Sequence, residues 1–419
     1  MKKILSCLML SIFMIINVCG CSSKSVDSTE TAQKTSAKTS NDTVSLTIFC
    51  EEDTFDLTNK LLESFKNEHK DTNFEFKLVK HSDSDMKNDI LRDVNADFDL
   101  FTFPDDQFDS LNASGVLSEV PNSDEIRNRN IENASNCASY KGKMYAYPYT
   151  ADNGYFLYYN KAYLNDSDVQ TLDGILSVAN ANGKNISMQL NSGWYMYSFF
   201  GQTGLKFNIN DDGLTNSCEW NSTDNSIKGI DVAKSIKTLI DNPAFKCYAD
   251  EEMISGFQDG SVIAGISGTW EASNLQKILG DNFGAVKLPT YTCNNQQVQM
   301  STFIGYKMIG VNSYSKNKEW AHKIADYLTN ENSQLQRLQE LSIGPSNINV
   351  SESDETKNNL AISAILNESD FGVVQRVGNS YWNACTDFYN SLQSKFYNDT
   401  ELQELLDTMV AEITKNVGN

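Results

Sequence analysis

Histidine is scarce in this 419-residue chain, and none of the three histidines (His69, His81 and His322) has Cys or Asp neighbours at the spacing of metal ligands. The sequence also lacks the HExxH, GxSxG and GxxxxGKS/T motifs and any CxxC pair. Those motifs are typical of zinc hydrolases, serine hydrolases, nucleotide-binding proteins and cysteine metal sites. The sequence therefore argues against these classes, and we expect no metal and no other cofactor.

Positive charge is also in short supply, because 34 Lys and Arg residues face 55 Asp and Glu residues and give a net charge of −21. A chain of this charge repels nucleic acid. Hydrophobic residues make up 40% of the sequence and aromatic residues 11%, which is enough to build packed cores. At roughly 150 residues per domain, the length predicts two or three domains.

The N-terminus has the pattern of an export signal. Lys2 and Lys3 precede an uncharged, mostly apolar run over residues 4–18, which is too short for a membrane-spanning helix. The run ends in Val-Cys-Gly-Cys21, which resembles the bacterial lipobox. We therefore predict a signal peptide over residues 1–20 and lipid attachment at Cys21. The alternative is an ordinary secreted protein with an accidental cysteine.

Residues 22–43 contain six Ser and five Thr but no aromatic residue and no Leu or Ile. Such a segment cannot bury enough apolar surface to offset its ordering entropy. We predict that residues 21–43 form a lipid-anchored flexible linker, which would place the protein on the extracellular face of the cell membrane. No later segment resembles a membrane span.

Six cysteines remain after the signal peptide and Cys21, and their wide spacing fits no metal site. The sequence favours mostly free, buried thiols, although some disulfides stay open because the protein is predicted to be exported. These residues are Cys50, Cys137, Cys218, Cys247, Cys293 and Cys385.

Alternating strand and helix patterns along the chain predict an α/β fold. The predicted strands lie at 44–49, 74–79, 97–103, 262–266 and 307–311, and the predicted helices at 54–69, 227–240 and 319–329. This rhythm over this length fits two α/β lobes.

Several short motifs follow one another through most of the chain: YKGKMYAYP (140–148), LYYNK (157–161), GISGTW (265–270), GAVKLP (284–289), FIGYKMIGV (303–311), ADYLT (325–329) and GPS (344–346). In this order and spacing they resemble the extracellular solute-binding proteins of sugar ABC transporters, of the maltose-binding type.

The resemblance implies a two-lobed clamshell of the type II periplasmic-binding-protein class, with sugar bound in the cleft and three chain crossings. Carried onto this sequence, the crossings lie near 148–153, 302–310 and 345–354. Lobe 1 then comprises 44–149 and 310–347, and lobe 2 comprises 150–309 and 348–419. The implied function is a monomeric receptor that delivers oligosaccharides, maltooligosaccharides above all, to an ABC permease.

A sugar site needs aromatic planes for the C–H faces of the rings and polar acceptors for their hydroxyl groups. Tyr149, Asp152 and Asn153 lie where a predicted strand ends at a lobe crossing. Asp152 matches a family position that accepts hydroxyl hydrogen bonds. The alternative is that Tyr149 packs in the core and Asp152 caps a turn.

Three of the five tryptophans match aromatic positions of the family's sugar site. Trp270 follows a glycine-rich turn, Trp382 lies near the C-terminal crossing, and Trp194 follows Ser-Gly. The alternative for each is core packing. Trp320 has the spacing of a helix core, and Trp220 is expected to be a structural residue near a turn.

In the first lobe, Phe103 ends a predicted strand, Asp106 and Glu52 follow predicted strands, and all three are candidates for the sugar site. Phe103 stands where the best-known family member has a tryptophan. We expect Glu51 and Asp105 to be solvated surface residues.

The segment 208–219 nearly has the spacing of an EF-hand calcium loop. An EF-hand needs a helix on each side, whereas 205–210 is predicted as a strand and Asp212-Gly213 as a hairpin turn. We therefore predict a hairpin rather than a calcium site.

Two other functions stay open. The first is a glycosidase or lyase that uses Asp152 and Glu271 as a carboxylate pair. The sequence offers neither residue an obvious buried partner that would raise its pKa, and we therefore expect a binding protein rather than an enzyme. The second is a surface lipoprotein that captures glycans without a transporter.

Overall fold

The computed structural model describes residues 43–94, 97–210 and 212–416. The predicted signal peptide, Cys21 and the linker up to residue 42 lie outside the described residues.

Strands and helices alternate along the chain, which confirms the predicted α/β class. The strands are β1 (Val44–Cys50), β2 (Phe74–Lys80), β3 (Leu100–Pro104), β4 (Ser139–Tyr140), β5 (Lys143–Met144), β6 (Ala146–Asn153), β7 (Tyr155–Asn160), β8 (Asn185–Met188), β9 (Phe207–Ile209), β10 (Asn216–Cys218), β11 (Phe245–Lys246), β12 (Val262–Gly268), β13 (Phe283–Val286), β14 (Thr290–Cys293), β15 (Gln296–Gln299), β16 (Phe303–Val311) and β17 (Val373–Val374). The helices are α1 (Phe55–Glu68), α2 (Asp83–Arg92), α3 (Phe108–Ala113), α4 (Ser123–Arg129), α5 (Glu132–Cys137), α6 (Leu172–Asn182), α7 (Gly193–Phe200), α8 (Gly229–Ile240), α9 (Asp250–Asp259), α10 (Ala272–Leu279), α11 (Lys318–Leu328), α12 (Glu331–Leu341), α13 (Ile348–Ser351), α14 (Asp354–Asn358), α15 (Leu360–Glu368), α16 (Ser380–Ser394) and α17 (Asp399–Ile413).

The first large sheet has the order β2-β1-β3-β16-β6, and β17 pairs with the start of β16. Strands β1, β2 and β3 are parallel, whereas β16 runs antiparallel to both β3 and β6. Helices α1–α5 and α11 pack against this sheet around one hydrophobic core. We call this sheet with its helices the first lobe.

The second large sheet has the order β11-β8-β12-β7-β13. Strands β11, β8 and β12 are parallel, and β7 is antiparallel to both of its neighbours. One face of the sheet is covered by α6, α7, α8, α16 and α17, and the other by α9, α10 and α15. This sheet with its helices is the second lobe.

Apolar periodicity explains where these elements lie. In α1, the buried Leu57, Leu61, Leu62 and Phe65 form one stripe at helical spacing, and that stripe faces the first sheet. Every residue of β12 is buried, as expected for a central strand with helices on both faces.

The chain passes from the first sheet to the second at Gly154, which joins β6 to β7. A Cβ atom at this position would lie 2.7 Å from Cδ1 of Ile365 and 2.9 Å from the carbonyl oxygen of Phe303. Only glycine therefore allows β6, β16 and α15 to meet so closely. The lobe boundaries implied by the family resemblance stay a prediction.

The six cysteines of the described region are free thiols, four of them buried, which confirms the expectation of mostly free thiols. Among the described residues, none of the helices combines the length and apolar character needed to cross a bilayer.

The segment with EF-hand-like spacing is a hairpin, as predicted, because β9 and β10 pair antiparallel. The carboxylate of Asp212 accepts hydrogen bonds from the backbone N–H groups of Leu214 and Thr215 at 2.8 and 2.9 Å. That carboxylate therefore stabilises the turn.

Trp220, just after β10, is fully buried, and its ring stacks on Phe200 with 4.1 Å between ring centroids.

We predict that Trp220→Ala lowers the free energy of unfolding by about 3–5 kcal/mol, because truncation leaves a large cavity in the second lobe. Phe396→Ala is the matched control, since Phe396 is 85% exposed and should change stability by no more than about 0.5 kcal/mol. Urea unfolding followed by circular dichroism measures both, and equal losses would contradict the assignment of Trp220 to the core.

Candidate functional site

A cavity of about 680 Å³, here called the cleft, lies between the two lobes. The first lobe lines it with residues that follow β1, begin α2 and lie on β3, β6 and β16, and the second lobe with residues that follow β12. The segment after α12 closes one side. Small-molecule sites commonly have this size and lie between structural units. The cleft is therefore the best candidate for a ligand site.

An ion cluster forms the first-lobe wall of the cleft. Nζ of Lys307, on β16, lies 3.1 Å from Oδ2 of Asp83 and 4.0 Å from Oε1 of Glu51. The backbone N–H of Asp83 donates to Glu51, and the Thr102 hydroxyl donates to Asp83. Burial acts to lower the pKa of Lys307, but the two carboxylates outweigh burial and hold that pKa above its ordinary value. The cluster keeps Lys307 charged.

Asp152, on β6, forms hydrogen bonds to two other segments where the lobes meet. Asp152 is 7% exposed, and its carboxylate accepts a hydrogen bond of 2.8 Å from the backbone N–H of Gly344 and one of 3.4 Å from the hydroxyl of Thr269 in the second lobe. Burial raises the pKa of Asp152, and the hydrogen bond from Gly344 opposes that rise. Much of the acceptor capacity of Asp152 is therefore used within the protein.

Tyr149 lies beside Asp152 on β6, and its ring stacks on a buried arginine. The guanidinium carbon of Arg337 is 4.0 Å from the ring centroid of Tyr149. Arg337 donates to the carbonyl of Leu328 at 2.7 Å, and burial lowers its pKa. This cation–π contact fixes the Tyr149 ring at the cleft wall.

Trp270 presents the largest exposed apolar surface in the cleft. It follows β12, and 45% of the residue is exposed. A Cβ atom at position 268 would lie 2.0 Å from Cζ3 and 2.2 Å from Cη2 of the Trp270 ring, so the ring lies directly on Gly268. One face of the indole is covered by the backbone, and the other is available to the cleft.

The structure brings together four of the predicted site residues, because Tyr149, Asp152, Asn153 and Trp270 all line the cleft. Ser273 and Asn274, from the first turn of α10, lie on the same wall as Trp270 but were not predicted.

Trp194 and Trp382 lie together in another place. Both are half-buried and pack around Phe303, with ring centroids 5.5 and 6.3 Å from its centroid, and Tyr381 is a further neighbour of Trp382. Neither is among the residues that line the cleft. Their packing gives both a structural role, and their role in a sugar site stays a prediction.

The three first-lobe candidates do not line the cleft either. Phe103 is fully buried in the first-lobe core, where its ring lies 5.4 Å from that of Phe101. Glu52 is exposed and forms an ion pair of 2.7 Å with Lys80, and Asp106 is exposed two residues after β3.

The expectation that Glu51 and Asp105 are solvated was wrong. Glu51 is half-buried in the cleft wall. Asp105 is fully buried and accepts a hydrogen bond of 3.0 Å from the backbone N–H of Tyr306. Burial raises the pKa of Asp105 to about 7, with a smaller contribution from the neighbouring Asp106.

Lys307 and Asp83 line the cleft and were not predicted from the sequence, and neither was Arg337, which is buried behind Tyr149. Lys307 gave a usable signal, because a lysine in the middle of the apolar run FIGYKMIGV needs a buried partner. Within the described ranges, no group of three or more His, Cys, Asp or Glu side chains is arranged to hold a metal ion.

Comparison with known proteins agrees with this architecture. The chain is 24% identical over 382 residues to the galactooligosaccharide-binding protein of Bacillus subtilis (strain 168), with 86% of each sequence covered. A protein solved with acarbose is 26% identical, with a TM-score of 0.78 and coverage of 89% of this chain and 99% of the other. The maltodextrin-binding protein MalE1 of L. casei BL23, solved without ligand, is 22% identical and has the same TM-score and coverage.

The family model for bacterial extracellular solute-binding proteins matches residues 60–364, which is more than half of the chain. This chain therefore belongs to the bacterial extracellular solute-binding proteins.

Proposed function

We propose that the protein is a cell-surface receptor that binds oligosaccharides, maltooligosaccharides above all, in the cleft and delivers them to an ABC permease. The observation that carries the proposal is Trp270, whose exposed indole face lies in a cleft lined with carboxylate, amide and hydroxyl groups. An exposed indole of this kind suits the flat C–H face of a pyranose ring, and the polar groups suit its hydroxyls.

The relatives support the same ligand class. One is named for binding galactooligosaccharides, one is named for binding maltodextrin, and one was solved with acarbose. Within this class, the resemblance around Asp152 and Trp270 favours maltooligosaccharides. The proposed partners are the ligand and the permease, and we propose a monomer attached to the outer face of the membrane by a lipid on Cys21.

An enzyme that uses Asp152 and Glu271 is the competing proposal. Burial raises the pKa of both carboxyl groups, contrary to the expectation from the sequence, and a general acid needs a raised pKa. However, Asp152 already accepts hydrogen bonds from Gly344 and Thr269, and Glu271 accepts one of 3.0 Å from Asn274. Glu271 is also absent from the residues that line the cleft. These contacts support binding rather than catalysis.

We expect the mature protein to bind maltotetraose saturably in isothermal titration calorimetry, and to bind it more tightly than a galactooligosaccharide of equal length.

Trp270→Ala should weaken maltotetraose binding by about 2–4 kcal/mol, or roughly 30- to 1,000-fold, because it removes a central stacking surface. Its melting temperature should change little, since the ring is half exposed.

Trp382→Ala is the comparison variant, because it truncates a half-buried indole that packs on Phe303 and Tyr381. It should lower the melting temperature of the sugar-free protein more than Trp270→Ala does. A Trp270→Ala protein that melts early but binds every sugar as tightly as the wild type would remove Trp270 from the site.

No turnover is expected when the protein is incubated with maltoheptaose, because both candidate carboxylates are engaged by protein donors. Chromatography of the labelled sugar should recover it intact. Shortened sugars that form at a rate proportional to protein, and that disappear with Asp152→Asn, would support the enzyme instead.

Cys21→Ala should abolish membrane attachment, because it removes the thiol that would carry the lipid. In detergent-phase partitioning, we expect the wild type in the detergent phase and the variant either in the aqueous phase or with its signal peptide retained. A variant that partitions into detergent as a processed protein would contradict the lipid anchor.

A further inference from the structure

The Trp270 ring is held at its edge as well as on its face. The indole Nε1–H donates a hydrogen bond of 2.8 Å to Oδ2 of Asp250. Asp250 is the first residue of α9 and lies twenty residues before Trp270 in the chain. The fold brings the two together because α9 leads into β12, and Trp270 follows β12.

Asp250 is itself fixed by a second bond. Its other carboxylate oxygen, Oδ1, accepts a hydrogen bond of 2.8 Å from the hydroxyl of Ser267, which is fully buried in β12. The N-terminus of α9 also favours a negative charge at this position. One carboxylate therefore links the buried strand to the exposed indole.

Two contacts together define the plane of the ring. Gly268 supports one face, and Asp250 fixes rotation of the ring in that plane. Hydrogen bonds to a charged acceptor are stronger than those between neutral groups. A half-exposed indole without this bond would sample other orientations, and a ligand would then have to order it on binding.

We propose that Asp250 is a positioning residue that presets the Trp270 ring for stacking on the sugar, an inference that rests on the proposed function. It does not touch the sugar, and it acts by lowering the ordering cost of Trp270. Sugar affinity should therefore depend on Asp250 only while residue 270 carries an indole N–H.

The test compares substitutions at Asp250 by calorimetry with maltotetraose. Asp250→Ala should weaken binding about tenfold, the upper end of the usual cost of ordering one large side chain on binding. Asp250→Asn should stay within about threefold of the wild type, because its amide oxygen can accept from Trp270 and its amide nitrogen can donate to Ser267. Glu251→Ala, an exposed residue on the same turn of α9, is the charge-matched control and should bind as the wild type does.

A double-mutant cycle separates positioning from other effects. Trp270→Phe keeps an aromatic plane but has no N–H donor, so adding Asp250→Ala to it should weaken binding no further. Equal weakening by Asp250→Ala in both backgrounds, or no weakening in the wild-type background, would overturn the positioning role.

A readout without sugar completes the test. In a ¹⁵N–¹H spectrum, the indole signal of Trp270 is identified by its loss in Trp270→Phe. That signal should shift and exchange faster with solvent in Asp250→Ala but not in Glu251→Ala. An unchanged signal would overturn the proposal.

The calorimetry also separates the two proposals. If the wild type binds no sugar, the proposed function fails, and the positioning role of Asp250 fails with it. If the wild type binds sugar and Asp250→Ala binds it equally well, only the positioning role is overturned.

Discussion

The structure of the cleft depends on one buried carboxylate at the junction of the lobes. Asp152 is the next-to-last residue of β6, the first-lobe strand that leads into the second sheet, and it accepts hydrogen bonds from Gly344 and from Thr269. Because Thr269 directly precedes Trp270, the contact that joins the lobes also places the backbone of the stacking residue. Burying a carboxylate costs free energy unless donors satisfy it, and here the donors come from two separate segments of the chain.

The two lobes contribute different kinds of side chain to the cleft. The first lobe supplies charged groups, because Lys307, Asp83 and Glu51 form an ion cluster in its wall. The second lobe supplies the apolar plane of Trp270 and the small polar side chains of α10. This division suits a ligand with apolar faces and a polar rim, which is the chemistry of an oligosaccharide.

The sequence predicted the elements whose pattern is local. Helix α1 was expected at 54–69 and lies at Phe55–Glu68, because its apolar stripe repeats at helical spacing. Trp270 and Asp152 were recognised through motifs next to them. The contact between Asp250 and Trp270 could not be predicted, because it depends on how α9 packs beside β12. Asp105 was misjudged because acidic residues are usually exposed, whereas here the Tyr306 amide offsets part of its burial.

A crystal structure of the mature protein grown with maltotetraose would test directly whether Trp270 is the stacking surface for sugar. We predict that a glucose ring lies parallel to the Trp270 indole, on the face opposite Gly268, with hydroxyl groups near the polar residues of the cleft. The indole should keep its hydrogen bond to Asp250. Sugar density elsewhere on the protein, with the Trp270 ring uncovered, would show that Trp270 does not bind the sugar.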